Sequence, residues 1–189
     1  RFSKAWCGHT FATNAAASPR LLFFNSMNQG DALSAGAAAL RAAGIANARH
    51  EARWLAEHVT GRPCLPGSEL HMTPAHQRRY TALLRRRAQR YPLQYLLAEV
   101  EFCGVPLRVT PKVLIPRPET EELAVHALAW LACHPRARRV ADLGTGSGCL
   151  AIALAHAVPR VRCWACDMSN AALAVARANL ERAGIGHCT

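Results

Sequence analysis

Helical periodicity dominates the first half of the chain. Apolar residues recur three and four positions apart in three successive stretches, and this spacing predicts amphipathic helices. The third stretch opens with Thr73 followed by Pro74, a threonine cap before a proline at the first helical position. The predicted helices span residues 31–44, 47–61 and 73–91. The pattern therefore predicts a small helical domain over residues 31–92.

After Pro92 the apolar residues form short extended runs instead. Residues 95–102 and 105–109 are separated by Cys103-Gly104, and two such runs around a glycine predict a β-hairpin. The following stretch, with Pro116 and Pro118, predicts an extended segment that enters a helix ending at Cys133. We therefore expect a hairpin linker over residues 93–111 and a different unit over residues 112–189.

That second unit begins with a strand, a tight turn and a helix. An apolar run starting at Val140 leads to glycines at 144, 146 and 148, then to a helical run over residues 150–158. A second apolar run, residues 161–166, follows. Alternating strands and helices predict an α/β fold with a parallel sheet. The glycine turn predicts a binding site for a nucleoside-bearing cofactor, because such a cofactor must touch bare main chain.

The spacing of the glycines discriminates between cofactors. A dinucleotide site needs a glycine three positions after the second one, and Cys149 occupies that position. Asp167 ends the second strand, where an acid accepts hydrogen bonds from ribose hydroxyls in nucleoside-binding βαβ units. The alternative is that Asp167 caps the next helix, although Ser169 suits that role.

Charge and cysteine content change the picture only slightly. The net charge is +11, from 23 basic and 12 acidic residues, which leaves an acidic partner or nucleic acid open. The third helix carries many of the arginines around a narrow apolar face; this surface is either solvated or a docking face. The eight cysteines form no disulfide-like pattern and predict reduced thiols. Cys163 and Cys166 lie three apart on a strand, so their sulfurs should diverge rather than share a metal.

Two features bear on localisation. No run approaches the roughly 20 apolar residues of a membrane span, so we expect no membrane association. Residues 1–30 lack acids and have the composition of a transit peptide, yet the helical pattern starts only after Met27. We expect an unstructured extension there and a cytoplasmic protein, with a mitochondrial address as the alternative.

Several strings together resemble one family. They are Gln94-Tyr95-Leu96-Leu97, Glu101-Phe102, the run from Leu114 to Glu121, the run from Asp142 to Gly148, and Asp167 with Asn179. This set is similar to the protein-(glutamine-N5) methyltransferases, also called HemK or PrmC, which act on class 1 peptide-chain release factors. The segment Ile-Pro-Arg-Pro-Glu-Thr-Glu is the most specific part of the likeness. Ala98 departs from it, since the family usually has glycine there.

The resemblance implies a helical substrate-recognition domain followed by the first part of a Rossmann-like class I methyltransferase domain. It implies S-adenosyl-L-methionine as the cofactor, a release factor as the partner, and a monomer. It assigns cofactor binding to Gly144, Thr145, Gly146, Ser147, Gly148 and Asp167. It also places the segment with Arg117 and Thr120 over the cofactor pocket, with capping of its own helix as the alternative for Thr120.

The family's catalytic motif, Asn-Pro-Pro-Tyr, does not occur in these residues. We therefore assign no catalytic residue and expect an inactive fragment of the enzyme. Two alternatives stay open: an adenine-N6 nucleic-acid methyltransferase, which uses a related motif and would suit the positive charge, and a non-catalytic module that binds a release factor.

Overall fold

A computed structural model describes residues 29–64, 72–186 and 188. The predicted unstructured extension over residues 1–30 therefore lies outside the described residues, apart from its last two positions, which are helical and not unstructured. The described elements, in chain order, are α1 (Gln29–Ala42), α2 (Ala48–Thr60), α3 (Pro74–Ala88), α4 (Leu93–Leu97), β1 (Glu99–Phe102), β2 (Val105–Arg108), α5 (Pro118–Cys133), β3 (Arg139–Leu143), α6 (Cys149–Ala157), β4 (Arg162–Cys166) and α7 (Asn170–Arg182).

Helices α1 to α4 enclose an apolar core. Leu40, Leu55, Tyr80 and Leu84 are among its fully buried side chains. The three predicted helices are confirmed, and the Thr73 side chain accepts a hydrogen bond from the backbone N–H of His76 at 3.2 Å, as the capping prediction requires. Helix α3 ends at Ala88, a few residues before the predicted end.

A largely buried ion pair joins α2 and α3. Arg87 on α3 donates from Nε to one oxygen of Glu51 on α2 and from a terminal nitrogen to the other oxygen at 3.1 Å. Its remaining terminal nitrogen donates to the carbonyl oxygen of Tyr91 at 3.3 Å. The side chains of Arg87 and Glu51 are only 17% and 10% exposed. Helical periodicity places Arg87 among the arginines that surround the apolar face of α3, and an exposed position for it is wrong, because a carboxylate on another helix buries it.

The hairpin follows the prediction in its turn but not at its start. Strands β1 and β2 pair antiparallel with Phe102 opposite Val105, and both residues of the turn, Cys103 and Gly104, have positive φ. This is the backbone of a two-residue turn whose twist matches the strands. Residues 95–97 were predicted to be extended; they belong to helix α4, in which Leu96 is buried against the helical core.

Helix α4 ends at Ala98, which has a left-handed conformation with φ 57° and ψ 17°. An L residue with a Cβ disfavours this region by roughly 1–2 kcal/mol. Replacing Ala98 with glycine should therefore raise the free energy of unfolding by about 1 kcal/mol, measured by urea denaturation. Ala129→Gly, in the exposed interior of α5, is the matched control and should lower it by about as much. A loss of stability in Ala98→Gly would contradict the strain.

The remaining elements form an α/β unit that incorporates the hairpin. Strands β3 and β4 pair in parallel from Arg139 opposite Arg162 to Leu143 opposite Cys166, with α6 as the connection between them. One apolar core joins residues of α6, β4 and α7 to three hairpin side chains, Phe102, Val105 and Leu107. The hairpin thus packs as part of the α/β core. Its position fixes β2 next to α7.

Cys163 is 1% exposed whereas Cys166 is exposed, so the two sulfurs lie on opposite faces of β4 as predicted. Within residues 29–64, 72–186 and 188, no group of three or more histidine, cysteine or acidic side chains is arranged to hold a metal ion. None of the helices described there is long and apolar enough to span a membrane.

Candidate functional site: a glycine turn and an aspartate

The turn between β3 and α6 has the backbone that its glycines predict. Gly144, Gly146 and Gly148 have φ of 80°, 57° and 82°, all in the left-handed region that residues with a Cβ avoid. A Cβ on Gly144 or Gly146 would meet no heavy atom within 4 Å. The turn therefore presents open main chain at these two positions, as a site for a bound molecule requires.

The turn is held to the end of the neighbouring strand. The backbone N–H groups of Gly144 and Thr145 both donate to the carbonyl oxygen of Cys166, at 2.8 and 2.9 Å. Because β3 and β4 are parallel, their carboxyl ends meet at one edge of the sheet. The hydrogen bonds therefore bring the glycine turn and the residues after β4 together at this edge.

Asp142 braces the turn from inside. Its carboxylate is buried and accepts from the Thr145 hydroxyl at 2.7 Å and from the Ala151 backbone N–H at 3.3 Å. Although Asp142 belongs to β3, its carboxylate bonds a backbone N–H in the first turn of α6 and so lies at the positive end of the helix dipole, which is favourable. Asp142 is thus satisfied by the protein itself, and its role in this geometry is to fix the turn.

Asp167 points at the turn. One carboxylate oxygen accepts from the Gly146 backbone N–H at 2.9 Å, and the other accepts from the Ser169 N–H at 2.8 Å. These hydrogen bonds, from Ser169 first and Gly146 second, hold the pKa of Asp167 below its ordinary value. The carboxylate is therefore ionised at neutral pH, and each oxygen keeps a lone pair for a further donor.

The structure excludes the alternative that Asp167 caps helix α7. Helix α7 is capped by Ser169, whose hydroxyl accepts from the Ala172 N–H at 3.2 Å. Asp167 lies before the cap and bonds the Ser169 backbone instead. Its position leaves it free to serve both the turn and a ligand.

Gly148 differs from the other two glycines. A Cβ there would lie 3.2 Å from the Cβ of Ala176 on α7 and 3.3 Å from Cδ1 of Ile152. Gly148→Ala should therefore cost about 2–4 kcal/mol of unfolding free energy, from left-handed strain plus crowding. Gly144→Ala, with nearly the same φ but open surroundings, should cost only about 1–2 kcal/mol. Equal losses in urea denaturation would show that contact with α7 does not matter.

Thr145 and Ser147 are buried, at 4% and 2% exposure, so their side chains face the protein interior.

Arg117 and Thr120 lie in a different segment, at the start of helix α5. Helix α5 starts at Pro118, and Arg117 occupies the capping position without a side-chain cap hydrogen bond. The suggestion that Thr120 caps the helix is wrong, because Pro118 already starts it and Thr120 lies within its first turn. No hydrogen bond among the described residues joins Arg117 or Thr120 to the glycine turn.

The site also contains residues that periodicity did not single out. Leu143 and Met168, which flank Gly144 and Asp167 in sequence, are 79% and 104% exposed. A groove of about 880 Å³ runs from Asp167 along α7 and is lined by Trp164, Ala176 and Ile185 among others. The signal available in the sequence was an apolar residue directly beside each polar position, Leu143 before Gly144 and Met168 after Asp167. Exposed apolar side chains grouped in this way mark a binding surface.

Comparison with known proteins agrees with this geometry. Residues 31–97 match the family profile of the PrmC N-terminal domain, and residues 123–188 match that of the methyltransferase small domain. Proteins named release factor glutamine methyltransferase are similar over most of the chain. The protein of Bordetella pertussis is 47% identical over 139 residues, covering 72% of this chain and 51% of the relative.

Two other relatives with the same name give a similar result. The Geobacter sulfurreducens protein is 40% identical over 144 residues, 75% of this chain and 50% of the relative. The Deinococcus radiodurans protein is 40% identical over 159 residues, 82% of this chain and 56% of the relative. The chain thus spans about half the length of the curated relatives it matches.

These matches and the parallel α/β unit place the chain among methyltransferase domains with a Rossmann-like sheet. Within that class, the chain belongs to the release factor glutamine methyltransferase family, also called PrmC.

Proposed function

We propose that the turn over residues 144–148 and Asp167 bind S-adenosyl-L-methionine. The observation that carries this proposal is the hydrogen bond at 2.9 Å from the Gly146 N–H to the Asp167 carboxylate, because it places an ionised acid against open main chain. A nucleoside needs such a pair: an acceptor for its ribose hydroxyls and a surface without side chains. The methyltransferase small domain match supports the same cofactor class.

The residues of the turn and Asp167 have different roles in this proposal. Gly144 and Gly146 offer open main chain, and Asp167 offers carboxylate lone pairs to the two ribose hydroxyls. Thr145 and Ser147 contribute through the backbone, since their side chains are buried, while Gly148 allows α7 to pack close to the turn. Bound S-adenosyl-L-methionine would supply an electrophilic methyl group on a sulfonium. Arg117 and Thr120 are proposed to border this pocket, on the family resemblance alone.

We propose that the whole protein transfers this methyl group to the side-chain amide N5 of a glutamine in a class 1 release factor. The names of the relatives support this substrate, and the match over residues 31–97 supports a separate helical domain for recognising it. A glutamine amide is a weak nucleophile, because its nitrogen lone pair is delocalised into the carbonyl. Methyl transfer therefore depends on groups that orient that nitrogen, and holding reactants in place can lower a barrier by roughly 7–11 kcal/mol.

In the family resemblance those groups belong to Asn-Pro-Pro-Tyr, a motif that these 189 residues do not contain. We therefore propose that this chain binds the cofactor and does not transfer the methyl group by itself. The nucleic-acid methyltransferase and the non-catalytic binding module are the competing functions. The first predicts that a labelled methyl group goes to nucleic acid, and the second predicts that the chain retains a release factor without labelling it.

Two measurements on the 189-residue chain test the proposal. Isothermal titration with S-adenosyl-L-methionine should show saturable 1:1 binding, and a folded chain without binding would refute the cofactor site. Incubation with methyl-labelled cofactor and either a class 1 release factor or duplex DNA should label neither. Labelled DNA would favour the adenine-N6 alternative, and labelled release factor would overturn the proposed inactivity. Retention of a release factor by a chain with an inactivated glycine turn would favour the binding module.

A further inference from the structure

The side chain of Asn179 on α7 makes three hydrogen bonds near the proposed cofactor site. It is 1% exposed. Its Oδ1 accepts from the Arg108 backbone N–H at 2.7 Å, and its Nδ2 donates to the Arg108 carbonyl oxygen at 2.9 Å and to the Ser147 carbonyl oxygen at 2.8 Å. One amide side chain therefore connects three segments: helix α7, the end of hairpin strand β2 and the glycine turn.

The arrangement is specific for asparagine. Both main-chain groups of Arg108 are matched by the complementary groups of the amide, and the second amide hydrogen reaches the turn. Glutamine would place the same groups about one carbon–carbon bond further out, and aspartate would direct a charge at two carbonyl oxygens. A hydrophobic residue would leave buried backbone groups without partners. The geometry thus requires both the donor and the acceptor at this length.

The hairpin end of this connection borders another cavity. Arg108 lines a cleft of about 900 Å³ between the hairpin, α7 and the helical domain, together with His58, Gln94 and Arg182. Helix α7 and β1 are also joined there by an ion pair between Arg182 and Glu99. Asn179 therefore lies between this cleft and the glycine turn, and it bonds the backbone on both sides.

We propose that Asn179 is a positioning residue that couples the hairpin to the glycine turn, so that the ligand-binding conformation of the turn depends on β2. This inference rests on the proposed cofactor site for its functional meaning. Because coupling between two sites is reciprocal, a ligand that orders the turn also orders the hairpin at Arg108. The alternative is that Asn179 only adds stability, in which case its loss would leave ligand affinity unchanged in the folded protein.

Hydrogen–deuterium exchange of the ligand-free chain tests the connection itself. In Asn179→Ala, exchange should rise in both residues 105–109 and residues 144–148, while the helices of residues 29–64 keep their protection. Asn170→Ala, an exposed asparagine at the start of the same helix, is the matched control and should exchange like the parent chain. Increased exchange in the hairpin with none in the turn would overturn the coupling.

Titration with S-adenosyl-L-methionine tests its effect on binding. We expect Asn179→Ala to weaken binding at least about tenfold, because the variant loses all three hydrogen bonds that hold the turn to the hairpin. It should also abolish the ligand-induced protection at residues 105–109. Unchanged affinity in a folded Asn179→Ala chain would overturn the proposal. If the parent chain does not bind the cofactor, the proposed function fails, but the ligand-free exchange experiment still decides whether Asn179 couples the two segments.

Asn179→Asp covers the case in which the alanine variant does not fold. A buried aspartate has a raised pKa, and its protonated form regains one donor. Protection of residues 144–148 should therefore be low at pH 8 and partly recovered at about pH 5.5, whereas Asn170→Asp should show no such recovery. A turn in Asn179→Asp that is as protected at pH 8 as in the parent chain would contradict the role of the donated hydrogen bonds.

Discussion

Glu51→Ala should lower the free energy of unfolding of the helical domain by about 3–5 kcal/mol, the range found when one partner of a buried ion pair is removed. The reason is that Arg87 would keep its charge at 17% exposure without the carboxylate that accepts two of its hydrogen bonds. The hydrogen bond from Arg87 to the Tyr91 carbonyl cannot compensate, because it provides no negative charge. Urea denaturation followed by circular dichroism measures the loss.

Arg53→Ala is the control for a charge pair on the same helix. Nε of Arg53 lies 3.7 Å from Oε1 of Glu57. The Arg53 side chain is 45% exposed, so solvent screens the interaction. We expect a loss below about 1 kcal/mol. The double variant Glu51→Leu with Arg87→Met should recover most of the stability, since a well-packed apolar pair replaces two buried charges. If Glu51→Ala lowers the free energy of unfolding as little as Arg53→Ala does, the ion pair between Glu51 and Arg87 contributes no more than an exposed pair.

This pair shows where sequence patterns fail. The arginines of α3 follow one another in sequence, and periodicity places Arg87 beside the exposed ones; the partner that buries it is 36 positions away. Trp54 is a similar case: its spacing to Leu55 and Val59 places it in the apolar stripe of the helix predicted over residues 47–61, yet it is 40% exposed. Nothing in a local window says which helix will lie opposite a given face, so the faces at the margin of the apolar stripe are the ones misplaced.

The glycine turn was predictable for the opposite reason. Its geometry is set by residues within one strand, one turn and one helix, and the positive φ at Gly144, Gly146 and Gly148 is a property of glycine itself. The meeting of Asp167 with the turn was also predictable, because parallel strands bring their carboxyl ends together. The Asn179 bonds were not: they link residues 71 and 32 positions apart, and a single buried asparagine leaves no periodic trace.

Asp167→Ala should weaken S-adenosyl-L-methionine binding on the order of 100-fold, since hydrogen bonds to an ionised acceptor are among the stronger ones in a binding site. The variant loses the proposed ribose acceptor and also the bond that holds the Gly146 N–H in the turn. Isothermal titration at pH 7.5 measures the change. Glu181→Ala removes a carboxylate from the same groove, away from the glycine turn, and should bind like the parent chain.

The pH dependence provides a second test of the same carboxylate. The backbone N–H groups of Ser169 and Gly146 hold the pKa of Asp167 below its ordinary value, so the ionised form is favoured in the folded state. For an acid with a lowered pKa, the stabilisation is complete above the unfolded-state value and is lost as the pH falls through the folded-state value. Cofactor affinity attributable to Asp167 should therefore stay constant from pH 8 down to about pH 5 and decline only near and below the ordinary aspartate range. If the affinity declines near neutral pH and still does so in Asp167→Ala, the titrating group is another residue. If Asp167→Ala and the parent chain bind the cofactor with equal affinity, Asp167 is not part of the site.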